Sequence, residues 1–334
     1  MKILETISYF AITLAMVSCA AGEPCQKCLE ADEAQTLKRV SVSITGVNLT
    51  TKAVSNPEDE RRINTCQLYV FSTEGKLFNR LVSDSTDFEF FIGNGLYNVY
   101  AFVNAPELPL NPESEYAFLG STIKLSDNNC GNIVMTGSLK GVCITESSDL
   151  EIEVSRMVSK VNCSVKVDIG SEMFREMDFE VLSVFMTNVV GEETIFSEDF
   201  VPADSMWFNK RNYCPSENDN LLYDEVNEIV PGGDSLRTKS TFYILPNRCE
   251  DPEDRDGWSP RRTRFVVKAR LGSFVYYYPV TIPRVISNRE YYITLDIKSI
   301  GYLDPEDTEE TLQAATCAVT IQSWSDGGVI DYSR

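Results

Sequence analysis

From Val40 onward, apolar side chains recur at every second position in short runs, and turn-forming residues interrupt those runs. Val40, Val42 and Ile44 share one face while Ser41, Ser43 and Thr45 share the other, which is the two-residue period of a half-buried β-strand. Gln67-Leu68-Tyr69-Val70-Phe71 leads into Thr73-Glu74-Gly75 and returns as Leu77-Phe78, and Gly93-Asn94-Gly95 joins residues 88–92 to 96–104 as a hairpin. Further strand patterns fall at 133–135, 150–154, 159–169, 179–190, 241–245, 264–271, 274–282, 291–297 and 317–324. Many short strands, polar turns and few helical patterns confine the chain to all-β architecture of the sandwich type, rather than βαβ units. No solenoid or propeller repeat is visible. A boundary near residue 150 leaves two parts, each long enough for one sandwich.

The segments between the strands are uneven. Residues 56–62, Asn56-Pro57-Glu58-Asp59-Glu60-Arg61-Arg62, read as an exposed loop open to proteolysis. Residues 192–237 read as irregular and polar, and the acidic run 217–228 within them reads as a solvated loop, because it lacks the spacing and glycine of a calcium loop. Residues 304–310 form a short acidic linker before the last alternating segment.

The N-terminus is of a different kind. Residues 7–17 are an apolar run of about eleven residues, where a membrane-spanning helix needs roughly twenty. Met16-Val17-Ser18-Cys19 closes that run as the layout of a bacterial lipoprotein signal. The reading is a signal peptide over 1–18, with Cys19 acylated as the new N-terminus and the lipid as the sole membrane contact; the alternative is a plain secretory signal with a chance cysteine.

Composition excludes several classes of function. Fifty acidic against 30 basic residues give a formal charge of −20, which argues against nucleic acid and against an anionic membrane surface. The absence of histidine removes Ser-His-Asp and Cys-His catalysis and His-ligated zinc. A carboxylate-pair hydrolase survives that filter, but among 50 acidic residues a pair at plausible spacing carries almost no information. No catalytic, cofactor-binding or metal-binding residue is assigned. Of ten cysteines, Cys19 leaves nine, which cannot all pair within one chain. Cys25-Gln26-Lys27-Cys28 lacks a second CxxC and reads as exposed tail, while Cys66, Cys143, Cys163 and Cys317 read as small buried hydrophobes.

Taken in order along the chain, these features resemble the fimbrillin family, lipoprotein precursors of type V pilus subunits. The resemblance rests on Met16–Cys19, the 40–44 strand, Lys52-Ala53, Ile63-Asn64 before Leu68-Tyr69-Val70-Phe71, and residues 95–104. It continues through Met135-Thr136-Gly137, Ser155-Arg156-Met157-Val158-Ser159-Lys160-Val161, Asn288-Arg289-Glu290-Tyr291-Tyr292-Ile293 and Val319-Thr320-Ile321-Gln322-Ser323-Trp324. It implies two antiparallel β-sandwich domains in tandem, transthyretin-like or Greek-key, with few short helices. It further implies a propeptide over 19–52 that carries a removable first strand, an N-terminal sandwich over 53–150, and a C-terminal sandwich over 151–334 with a donor-strand segment about 312–334.

In that scheme an outer-membrane lipoprotein precursor reaches the cell surface, and a maturation protease cuts between Lys52 and Ala53. Loss of Val40, Val42 and Ile44 opens a groove, and Val319 and Ile321 of a neighbouring subunit refill it. The implied partners are copies of the chain or related fimbrial subunits, with host or bacterial surface ligands beyond them. The family's cut usually follows arginine, where this chain has Lys52; Arg39 and Arg61-Arg62 are alternatives in sequence. An uncut chain would serve as an anchored accessory subunit, whether anchor or tip. A surface glycan-binding lipoprotein is the competing class, with Trp207, Trp258 and Tyr276-Tyr277-Tyr278 as stacking candidates.

Overall fold

The computed structural model describes residues 37–46, 50–51, 60–168, 177–196, 207–208, 222–231, 235–248, 262–303, 315–324 and 329–333. The N-terminal half is built from β1 (Lys38–Thr45), β2 (Cys66–Ser72), β3 (Leu77–Ser83), β4 (Asp87–Ile92), β5 (Gly95–Val103), helix α1 (Glu115–Leu119), β6 (Thr122–Lys124), β7 (Met135–Ile144) and β8 (Ser148–Glu153). A three-stranded sheet ordered β8-β1-β4 faces a sheet in which Ser155–Arg156, β7, β5, β2 and β3 lie side by side. The C-terminal half follows with β9 (Ser159–Val167), β10 (Phe179–Thr187), β11 (Glu192–Thr194), β12 (Tyr223–Val230), β13 (Ser235–Ile244), β14 (Arg264–Leu271), β15 (Phe274–Thr281), β16 (Arg289–Ile297), β17 (Ala315–Ser323) and β18 (Val329–Ser333). Its sheets run β13-β9-β16-β17-β18 and β12-β10-β14-β15. The fold is all-β, two sandwiches in tandem, antiparallel except that β1 runs parallel to β8, β9 parallel to β16 and Thr50–Thr51 parallel to Arg62–Ile63.

The inward positions follow the alternation in the sequence. Val40, Val42, Leu68, Val70, Phe90, Ile92, Val99 and Ile152 fill the first sandwich, and Val161, Val165, Val181, Phe265, Ile293 and Leu295 fill the second, in one apolar cluster that runs through both. The outer face of the five-stranded N-terminal sheet is also covered. Tyr69, Phe71, Tyr100 and Phe102 pack there against Phe118 of α1, while Leu68 and Val70 face the sandwich core. Ser114 caps α1, its side chain accepting from the Ala117 N–H at 3.1 Å.

Gly137 is required by close approach. A Cβ on Gly137 would lie 2.3 Å from the Glu153 carbonyl oxygen, where β7 passes under the end of β8.

Two expectations need correction. The stretch 192–237, read as irregular, contains β11, β12 and the start of β13. The acidic residues Glu225 and Glu228 lie exposed on β12, an edge strand paired to β10 on one side, where a solvated face tolerates charge and discourages further pairing. Cys143 is not a free core thiol but is disulfide-bonded, to a cysteine outside the described residues. An irregularity between Tyr97 and Val99 shifts the β5–β7 register, and Cys143 is left half-exposed rather than inward. Cys66 and Cys163 are buried and Cys317 is half-buried; burial pushes the thiols of Cys66 and Cys317 up to about 12, far from thiolate chemistry.

Candidate functional site

The strand β1 has a singular position. It pairs with β8 over Val40–Thr45 and with β4 over Lys38–Ser43, and among the described residues it alone joins those two strands into a sheet. Val40, Val42 and Ile44 are 1%, 0% and 3% exposed, so its inward face is fully in the core. Beneath it lie Val70, Phe90, Ile92, Val99, Val142, Ile144 and Leu150, which line a narrow apolar cavity that closes against Val40. Without β1, the facing edges of β4 and β8 would each present unpaired N–H and C=O groups over that apolar floor.

The outward face of the same three strands is polar. Arg39 donates to Glu89 at 2.8 Å, an ion pair that raises the arginine and lowers the carboxylate from their ordinary values. The Ser43 hydroxyl donates to Asp87 at 2.8 Å, and Asp149, Glu151 and Glu153 stand exposed along β8.

After β1 the described chain resumes at Thr50–Thr51, which pairs in parallel with Arg62–Ile63. Lys52 and Ala53 lie outside the described residues between these two segments, as does Cys19 further upstream. The returning segment is firmly anchored. Buried Asn104, at φ 58°, accepts from the Asn64 N–H at 2.6 Å and donates to the Arg62 carbonyl at 2.7 Å and the Ile133 carbonyl at 3.1 Å. The alternative cleavage position Arg61-Arg62 is therefore next to a backbone already held by side-chain bonds, whereas Arg39 sits inside β1.

Val319 and Ile321 occupy β17, paired to β16 over nine residues and covered on the other side by β18. They are 6% and 9% exposed and face the C-terminal core. The sequence pattern ended at residue 324 and did not reveal β18, whose five residues follow only a short connection.

Sequence reasoning also missed Glu60. Its carboxylate accepts from Lys160 at 2.8 Å, from the Tyr243 hydroxyl at 2.7 Å and from the Trp324 indole N–H at 3.1 Å. The Trp324 ring lies parallel to the Tyr243 ring, centroids 5.9 Å apart, with the Arg156 guanidinium 4.5 Å from its centre on a cation–π contact. Burial pushes the Glu60 carboxyl upward, but the bonds from Lys160, Tyr243 and Trp324 together outweigh it and hold the group below the usual carboxylate range. The residue that follows the 52–59 segment is thus bonded directly to the end of β17. Lys160 and Trp324 stand in motifs that carried the sequence resemblance; Glu60 stands in none.

A second connection joins the halves. β11 pairs with β6 of the N-terminal half, and Ile195 and Phe196 beyond it enter the aromatic cluster around Phe118. Glu193 on β11 is 3% exposed and ion-paired to Arg248 at 2.9 Å; burial, only partly offset by that arginine, pushes its carboxyl up to about 7.

Tyr278 is buried with its hydroxyl donating to the Ser299 carbonyl at 3.1 Å, Tyr276 and Tyr277 are half-buried on β15, and Trp258 lies outside the described residues. Trp207 pairs with Val190 through the backbone. Among the described residues no cluster of three metal-ligating side chains occurs, and no helix is long and apolar enough to cross a membrane.

The architecture defines a protein of two β-sandwich domains in tandem. No family model and no curated protein matches the chain. Among solved structures, one described as a cell adhesion protein from Bacteroides eggerthii matches with a TM-score of 0.64 at 15% identity, covering 87% of this chain and 97% of its own. A fimbrilin from Porphyromonas gingivalis matches with a TM-score of 0.62 at 15% identity, over 86% and 98%. A tip fimbrial protein from the same organism matches at 0.53 and 12% identity, over 86% and 100%. The chain has the fimbrilin fold across nearly its whole described length, so the resemblance seen in the sequence holds at the level of the fold.

Proposed function

We propose that this chain is a structural subunit of a surface fimbrium, exported as a lipoprotein through Cys19, cut between Lys52 and Ala53, and polymerised by strand donation. One observation carries the reading: among the described residues β1 alone joins β4 and β8, with all three of its inward side chains in the core. A strand placed so leaves, on departure, a groove shaped for another strand of the same alternation. The Val319 and Ile321 spacing reproduces that of Val40 and Val42, and head-to-tail donation continues without closing, which yields a filament. No catalytic role is proposed. For donation β17 would have to leave β16 and β18, so the reading requires the C-terminal hairpin to open.

The test is the N-terminus of the surface form, by intact mass and terminal sequencing. A start at Ala53 together with SDS-resistant ladders supports a polymerising subunit. An acylated Cys19 on the surface form makes the chain an anchored accessory subunit, since β1 then stays in its groove.

A further inference from the structure

We infer that β4 and β8 select the strand between them by charge, and that the occupant they fit after β1 departs is the β17 segment of a second copy of this chain. The inference rests on the strand-donation reading above and adds to it a rule for which strand is accepted.

The ladder places Ser41, Ser43 and Thr45 on the outward face of β1 against carboxylates, while Arg39 lies opposite Phe91. Ser41 lies between Glu89 on β4 and Asp149 on β8, Ser43 lies between Asp87 and Glu151, and Thr45 pairs with Glu153. Five carboxylates thus line the outward track. β1 brings none of its own there; it offers Arg39, Ser41, Ser43 and Thr45, with Arg39 bonded to Glu89 and Ser43 to Asp87, each at 2.8 Å. Directly opposed residues on neighbouring strands stand about 4.5–5.5 Å apart, and like charges at that distance oppose pairing. A carboxylate at either middle position would meet one on each side.

The apolar floor cannot make this distinction, because any strand with alternating aliphatic residues satisfies it. Two strands at the C-terminus offer such alternation. β17 carries Cys317, Val319 and Ile321, with uncharged Ala318 and Thr320 between them. β18 alternates Ile330 and Tyr332 around Asp331, which would place a carboxylate on the acidic track. With Val319 in the place of Val42, Thr320 falls between Asp87 and Glu151 if the strand keeps the polarity of β1, and between Glu89 and Asp149 if it runs the other way. The rule therefore holds in either polarity.

The test uses the full chain with a site-specific protease sequence inserted between residues 52 and 57, cut, and exposed to fluorescent peptides. Peptides spanning 315–324 as wild type, T320E and T320K are compared, with a 38–46 peptide as the native occupant. The expected result is that wild type and T320K enter the groove and T320E binds at least tenfold more weakly. The gap between T320E and T320K should narrow in 1 M NaCl, where screening acts within about 3 Å. Equal binding of T320E and T320K overturns the charge rule and leaves strand donation standing. Rebinding of the 38–46 peptide with no binding of any 315–324 peptide overturns the choice of β17, and the donation reading that names it falls as well.

Discussion

A single carboxylate, Glu60, bonds three side chains of the C-terminal half, and one of them, Trp324, lies within the segment that strand donation would mobilise. Hydrogen bonds to a charged, partly buried group are worth more than neutral ones, and their loss leaves Lys160 short of a partner. Glu60→Gln should cost about 1–3 kcal/mol. It should speed amide exchange along β17 and β18 while leaving β1 protected, as hydrogen exchange resolved by segment would report.

The pH dependence of these bonds has a definite sign. Glu60 is held below its unfolded value, so its contribution is present at neutral pH and is lost as pH falls through the depressed value. Glu193 runs the other way, because burial raises it to about 7. Its ionisation opposes folding, so stability contributed at that position declines as pH rises from the ordinary carboxylate range through 7. Measured by thermal melting, the stability of wild type relative to Glu193→Gln should therefore fall as pH is raised across that window. A constant difference would mean that Glu193 ionises as freely in the folded chain as in the unfolded one.

Among the elements, β1 concentrates the alternation that the sequence displays most plainly. Val42→Ala should destabilise the uncut chain by about 2 kcal/mol, in line with truncation of a buried aliphatic side chain, while Ser41→Ala should be near neutral; denaturant unfolding separates the two. Gly137→Ala should be more damaging than its single methyl suggests, since the neighbour at 2.3 Å is backbone and cannot rotate away.

The strands that could be read in advance were those with one wet face and one dry face, such as 40–44 and 159–167, where the period of two is unbroken. β12 escaped because its outward residues are Asp, Glu and Asn on an edge, so the polar signal of a loop and of a guarded edge coincide. The burial of Val40, Val42 and Ile44 was legible for the same reason that their strand was. The Glu60 cluster was not, because its members are spread from residue 60 to 324 and no local pattern relates them. The acid-lined track was equally hidden. It exists through the parallel register of β1 and β8, which pairs positions some 108 residues apart.

For the whole molecule, the two sandwiches share one apolar cluster and are joined by the connection between Arg156 and Ser159, the Glu60 cluster, and the β6–β11 ladder with Ile195 and Phe196 seated in the N-terminal aromatic cluster. Cooperative unfolding should follow, with one calorimetric transition in the wild-type chain. Ile195→Asp, which places a charge in that cluster, should split the transition into two, and a single transition in the variant would mean that the ladder adds little to the coupling. A chain with these joints has a mechanical consequence. Tension entering one sandwich reaches the other through a hydrogen-bonded ladder and a wedge of aromatic rings as well as through two residues of connecting backbone. Such a molecule stretches as one stiff link rather than as two beads on a string.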